Sequence, residues 1–127
     1  MRLGVGLERL ELQEKTWGVE PYQIPMQLSN LCADGNYWLE HQVFSLDHCA
    51  IRFHHRLVSI HPFPNGNGRH GRLVADLLML YSGKPIFSWG GQSLDVQGAT
   101  RKKYLKALRE ADAGKYESLI SFALDKE

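Results

Sequence analysis

An imidazole, a glycine-rich turn and two guanidiniums are gathered in one short run, HPFPNGNGRHGR, His61 to Arg72. The run lies between two helical patterns, so it reads as a loop that feeds a helix start. Successive backbone N–H groups in such a turn can point at an anion, and the new helix adds the positive end of its dipole. Arg69 and Arg72 are three residues apart and project from nearly one helix face. The planar fork of each guanidinium matches phosphate oxygens. His61, at the loop entrance, supplies a proton acceptor near neutral pH. The local chemistry is that of a polyphosphate cradle with a general base beside it.

Helices must position that loop. Upstream, Leu46, Ala50, Phe53, Leu57 and Ile60 recur at three- and four-residue steps, with Ser45 as N-cap. Downstream, Leu73, Val74, Leu77, Leu78 and Tyr81 form a helix that is apolar over much of its circumference, which marks it as the central one. Gly83 and Pro85 stop it. An earlier stripe runs from Met26 to His41. A later helix runs from a cap at Ser93 or Asp95 to about Ala113, with Tyr104, Leu105 and Leu108 inward. Tyr116 to Asp125 forms the last amphipathic helix. Residues 16–25, TWGVEPYQIP, mix aromatic and β-branched residues with Gly18, Pro21 and Pro25, which predicts a hairpin or extended flap. Met1 to Glu14 has no convincing period. The expected fold is all-α with one small β-hairpin flap, in a single domain over 1–127.

Bulk properties fit this reading and exclude others. A chain of 127 residues can bury one modest core. Apolar content of 43%, with 23% charged residues, is ordinary for a water-soluble domain. A net charge of +1 gives no argument for bulk nucleic-acid or membrane affinity. Cys32 and Cys49 lack metal-site or disulfide spacing and read as buried thiols of a cytoplasmic protein. No apolar run approaches a membrane span, and no signal-peptide core opens the chain.

The run HPFPNGNGRHGR resembles the signature of the Fic family, HxFx(D/E)GNGRxxR. Family members mostly transfer AMP from ATP onto a protein hydroxyl. The resemblance implies His61 as the base that deprotonates that hydroxyl and Phe63 as the aromatic that anchors the loop in the core. It implies Gly66, Asn67 and Gly68 as the turn around the α- and β-phosphates. Arg69 would orient the phosphates, and Arg72 would reach toward the γ-phosphate. Asn65 stands where the family has an acidic Mg²⁺ ligand. A neutral carbonyl binds that ion more weakly than a carboxylate, so the expected metal hold is weak.

The resemblance extends from Thr16 to about Ala123. FHHRLVSIHPFPNGNGRHGRLVADLL, the loop FSWG and ATRKKYLKALREADAGKY are similar to the mobile mystery protein B branch. It implies a protein substrate paired with the flap by β-augmentation. The usual N-terminal helices of the family are not found ahead of the flap, which implies a shortened core or a homo-oligomer filling the groove. The family's inhibitory motif, (S/T)xxxE(G/N), has no match, which implies restraint by a separate antitoxin-like partner. Two rival readings stand beside AMP transfer: γ-phosphate transfer, and a nucleotide-binding regulatory module that does no chemistry.

Other residues have blander readings. His48, His54, His55 and His70 read as solvated or core-edge groups rather than metal ligands. Arg101, Lys102, Lys103 and Lys106 read as the wet face of a helix. Phe87 and Trp89 could wall an adenine pocket or simply pack; Tyr104 has the same two readings, with core the default from its helical spacing.

Overall fold

The computed structural model describes residues 18–125, apart from 92, 95 and 96. Among these residues the regular elements are all helical. They are α1 (Ile24–Glu40), α2 (Leu46–Ile60), α3 (Asn67–Tyr81), α4 (Ala99–Asp112) and α5 (Glu117–Leu124), with 3₁₀ turns at Pro21–Gln23 and Trp89–Gly91. Ser45 caps α2 as its sequence predicts: its hydroxyl accepts the His48 N–H at 3.4 Å, and Asp47 adds an acidic group to the first turn.

The helix around which the others pack is α2, not α3. Eight of its residues are buried: Cys49, Ala50, Ile51, His54, His55, Leu57, Val58 and Ile60. α3 presents mainly the small Gly71 and Ala75 and the slender Met79 to the interior, while Leu73, Leu77 and Tyr81 are exposed. Apolarity around a helix measures what it could bury. Close approach is decided by which face carries the small residues. α2 and α3 lie side by side in the most extensive helix contact of the fold, joined by the short loop that carries the chemistry.

Two apolar clusters flank α2. On one side Ala50, Ile51 and Val58 meet Ala75, Met79, Phe87, Trp89, Tyr104, Leu108, Leu119 and Phe122. On the other, Leu57 and Ile60 meet Ile24 and Leu31 of α1. Burial of this kind contributes roughly 25 cal/mol per Å² of apolar surface removed from water. A polar tie adds register: His55 Nε2 lies 2.8 Å from Asp112 Oδ1 and joins α2 to the end of α4.

Several expectations are corrected. The hairpin predicted over 16–25 is not formed by the described part of that segment; residues 16 and 17 lie outside it. Pro21 opens a 3₁₀ turn and Pro25 sits in the first turn of α1. Proline is tolerated there because a first-turn N–H has no helical partner to lose. The two residues read as strand breakers are thus helix starters. Gly18 to Glu20 are irregular, and the Val19 N–H donates to the Ile60 carbonyl at 3.3 Å. α4 begins after Gly98, so Ser93 is not its cap; Asp95 lies outside the described residues. Cys49 is buried, but Cys32 is exposed. The stretch Met1 to Glu14 also lies outside the described residues. No described helix is long and apolar enough to cross a membrane.

Candidate active site

The loop between α2 and α3 is fixed from both ends. His61 terminates α2 in the left-handed conformation (φ 58°, ψ 60°), and its N–H donates to the Leu57 carbonyl at 3.1 Å. Few non-glycine residues adopt that conformation, and here it turns the chain sharply at the imidazole. At the other end Gly66 takes φ 75°, ψ 14° as the N-cap of α3. Glycine has no Cβ to clash in that region.

Between the two turns the side chain of Asn67 brackets the backbone of Phe63. Its Oδ1 accepts the Phe63 N–H at 2.9 Å, and its Nδ2 donates to the Phe63 carbonyl at 2.7 Å. Asn67 is only 4% exposed, so its end of both bonds is sheltered from water. The Phe63 ring, expected to anchor the loop in the core, is 40% exposed and meets the His70 ring edge-on at 4.9 Å. The anchoring at Phe63 therefore passes through its main chain. The side chain that enters the interior is Asn67, and an amide is suited to satisfying a bare peptide unit there.

α3 starts with no side-chain cap and no acidic residue in its first turn. First-turn N–H groups lack intrahelical partners, so this end offers donors and the positive dipole to an anion. Gly66, Asn67, Gly68, Arg69 and Arg72 line a cleft of about 400 Å³ together with His61 and Asn65. Val58, Leu94, Leu105 and Leu108 make the rest of the cleft apolar, and Tyr104 and Arg101 complete it. The α3 side is polar and cationic, and the α4 side joins Arg101 to the apolar Leu105 and Leu108. Such an arrangement accepts a phosphorylated molecule with a flat apolar portion.

Gly68 keeps the cationic wall close to the turn. A Cβ there would lie 3.1 Å from an Arg72 terminal nitrogen and 3.8 Å from the Tyr104 hydroxyl. Arg72 stands over the Tyr104 ring, with its central carbon 5.5 Å from the centroid, within hydrogen-bonding reach of the Tyr104 oxygen. Burial is the main cause that pushes the Tyr104 phenol above its ordinary value, so it stays protonated. Behind it, His54 Nε2 lies 2.9 Å from the Tyr104 hydroxyl. His54 is fully buried, and loss of hydration lowers its pKa to about 3. The imidazole is neutral at physiological pH.

Every residue assigned to the site by the sequence reading thus borders or braces one cleft. Two contributors, Arg101 and His54, were missed, and a third, Tyr104, has both a core and a pocket-wall reading in the sequence. Arg101 was read as part of a wet face, yet it borders the cleft and donates to the Leu94 carbonyl at 2.8 Å. It lies one helical turn before Tyr104, a position on the inward side of α4. His54 was read as solvated or at the core edge, yet it is wholly enclosed; its spacing of seven from His61 places it two turns down the same side of α2. Tyr104 reads as core and is buried, but it is also cleft wall. Phe87 and Trp89 do not border the cleft. They are 4% and 7% exposed core groups, with both the Phe87 N–H (3.2 Å) and the Trp89 indole N–H (3.1 Å) donating to Asp76. His48 is partly buried and bonded to Arg52, consistent with a core-edge role. No group of three metal-ligating side chains occurs among the described residues.

The chain belongs to the Fic/DOC family, whose model matches residues 11–79. It is 35% identical over 95 residues to a probable protein adenylyltransferase of Aquifex aeolicus, covering 74% of this chain and 26% of that protein. It is 33% identical over 104 residues to the protein adenylyltransferase Fic of Culex quinquefasciatus, covering 80% of this chain and 19% of that one. It therefore spans about a quarter or less of these relatives. The solved structure of Fic-1 from C. elegans superposes with a TM-score of 0.61 at 26% identity, over 87% of this chain and 31% of that one. A Fic domain-containing signaling protein from Bacteroides thetaiotaomicron shares the fold, with a TM-score of 0.62 at 21% identity over 87% of this chain and 40% of that one.

Proposed function

We propose that the protein is an adenylyltransferase that moves AMP from ATP to a hydroxyl side chain of a target protein. The observation that carries this reading is the convergence of His61, the Gly66–Gly68 turn, Arg69 and Arg72 on one cleft. Relatives named protein adenylyltransferases support the same activity.

In this reading the phosphates of ATP rest on the first turn of α3. Arg69 orients them and Arg72 reaches the terminal phosphate. The apolar wall made by Leu94, Leu105 and Leu108 receives the base. A Ser, Thr or Tyr hydroxyl of the target enters beside His61 and gives its proton to the imidazole. Its oxygen attacks the α-phosphorus, the bond to the bridging oxygen breaks, and pyrophosphate leaves with the electron pair. General-base assistance of this kind is worth about 10²–10⁴-fold. The guanidiniums neutralise charge that builds on the leaving pyrophosphate, commonly the larger share of such catalysis.

Mg²⁺ is part of the proposal. Among the described residues lining the cleft, Asn65, Asn67 and Tyr104 carry side-chain oxygens. The Asn67 oxygen is already engaged by the Phe63 N–H, and the phenol of Tyr104 by His54. Asn65 is the residue that would hold the ion, as one neutral ligand beside phosphate oxygens. Bound there, it would screen phosphate charge.

The target docks on the side of the cleft next to Gly18 to Glu20 and His61. Restraint by an antitoxin-like partner, assembly with a second copy and a cytoplasmic location belong to the same proposal. The kinship with mobile mystery protein B rests on the three sequence stretches that carry it.

Incubation with α-labelled ATP, Mg²⁺ and a host lysate tests the reading. Label should pass to protein with the wild type and not with His61→Ala, while His61→Ala still binds ATP. Equal labelling by both would remove His61 as the base. Label transferred from γ-labelled ATP instead would assign a phosphotransferase. Asn65 favours a second reading, a nucleotide-binding module without chemistry. A nucleotide-induced thermal shift with no labelled product would select it.

A further inference from the structure

Arg72 reaches the cleft on a long side chain with many rotamers, so something must hold its aim. One holder is a chain of two buried groups. The Arg72 guanidinium stands over the Tyr104 ring within hydrogen-bonding reach of the phenol oxygen, its central carbon 5.5 Å from the centroid. The Tyr104 hydroxyl meets His54 Nε2 at 2.9 Å. Tyr104 is 4% exposed and His54 fully buried, so water does not compete. Gly71 makes room for the ring: a Cβ there would stand 3.0 Å from His54 Nδ1. Trp89 closes the site, its ring centred 4.8 Å from that of His54.

The direction of each hydrogen bond follows from chemistry. A guanidinium has five donors and no acceptor, so Arg72 can only give to Tyr104. The Tyr104 proton can then go to Nε2 of the neutral imidazole, in the tautomer that carries the ring proton on Nδ1. With its proton directed to His54, the Tyr104 oxygen turns its lone pairs to Arg72. A hydrocarbon at position 54 would leave that proton without a partner, and the phenol free to rotate away.

We propose that His54 and Tyr104 are positioning residues that aim Arg72 at the terminal phosphate of the nucleotide, and so set the preference for a triphosphate over a monophosphate. This rests on the proposed function, in which that cleft holds ATP. Neither group touches the reacting atoms.

The test is the affinity of the purified full chain and its variants for ATP and for AMP, by isothermal titration calorimetry. Tyr104→Phe keeps the ring but removes the oxygen. It should weaken ATP binding about tenfold, as expected for losing one hydrogen bond to a charged group, and change AMP binding less than about twofold. In an Arg72→Ala background the same substitution should have no further effect on ATP. His54→Gln supplies a carbonyl acceptor and should retain most of the ATP preference, whereas His54→Leu should lose it. Circular dichroism confirms that each variant is folded; Tyr104→Phe carries the test if the His54 variants are not.

A purely structural role would weaken ATP and AMP binding alike, or make Gln and Leu equivalent, and either result overturns the positioning role. Variants that keep the wild-type ATP preference overturn it as well and leave the proposed function intact. A wild type that binds no nucleotide removes both readings.

Discussion

Asn67 holds the peptide unit of Phe63 from both sides, accepting its N–H at 2.9 Å and donating to its carbonyl at 2.7 Å. The pair ties the first residue of α3 back to the loop just after His61 and Pro62, and so fixes the N-terminus of α3 against the loop. A short polar side chain, rather than the neighbouring aromatic ring, keeps the turn in shape.

Asn67→Ala should therefore destabilise the fold by about 1–3 kcal/mol, since two partly buried bonds are lost and two backbone groups lose their partner. Urea denaturation checks this. Asn67→Asp keeps the acceptor but sets an oxygen against the Phe63 carbonyl. It should fare no better than alanine near neutral pH. A midpoint equal to the wild type for either variant would mean that the loop is held by something else.

Gly68→Ala separates stability from binding. Alanine is favoured over glycine in a helix by about 0.8–1 kcal/mol. Its methyl would lie 3.1 Å from the end of a flexible arginine side chain, which can move aside. The variant should be as stable as the wild type or slightly more so. Displacement of Arg72 should nonetheless weaken ATP binding about tenfold, roughly the value of one charged hydrogen bond. Melting temperature and calorimetric affinity, measured side by side, decide it.

Asn65→Asp should lower the Mg²⁺ concentration that gives half-maximal transfer, by several-fold, because a charged oxygen replaces a neutral one. A magnesium titration of labelled-AMP transfer tests this. An unchanged midpoint would show that position 65 does not hold the ion.

Acid should act through His54. Its folded pKa of about 3 lies below the ordinary value of 6.5, because the buried cation is poorly solvated. Below 6.5 the unfolded chain gains a proton that the folded chain refuses, so this stabilisation is complete above 6.5 and is lost as pH falls toward 3. The slope is at most about 1.4 kcal/mol per pH unit from this one group. Urea midpoints of the wild type should fall more steeply between pH 6.5 and 4.5 than those of His54→Gln, which has nothing to titrate there. Parallel curves would show that His54 is not the buried base described.

Much of this architecture is legible in the residues. The three- and four-step recurrence from Leu46 to Ile60 locates α2, and Ser45 gives its start, because capping and periodicity are local properties. The composition of the cleft's cationic wall is equally local, since its glycines and arginines are nearly contiguous. What escaped is decided by contacts distant in sequence. Burial of His54 depends on Tyr104, fifty residues on. The cleft-side position of Arg101 depends on where α4 lies against α2. The prolines of the expected hairpin show a different failure: Pro21 and Pro25 break strands and begin helices with equal ease, and only the following turns of α1 choose between them.

The backbone at His61 is bent as a glycine would bend it. An L side chain in that left-handed region costs roughly 1–2 kcal/mol. Exchanging His61 for glycine should therefore give a sturdier protein than exchanging it for alanine, even though both lack the imidazole. Selection for durability alone would remove the very side chain on which the chemistry depends. A thermostabilised library of this chain, sorted without an activity screen, should accumulate glycine at position 61.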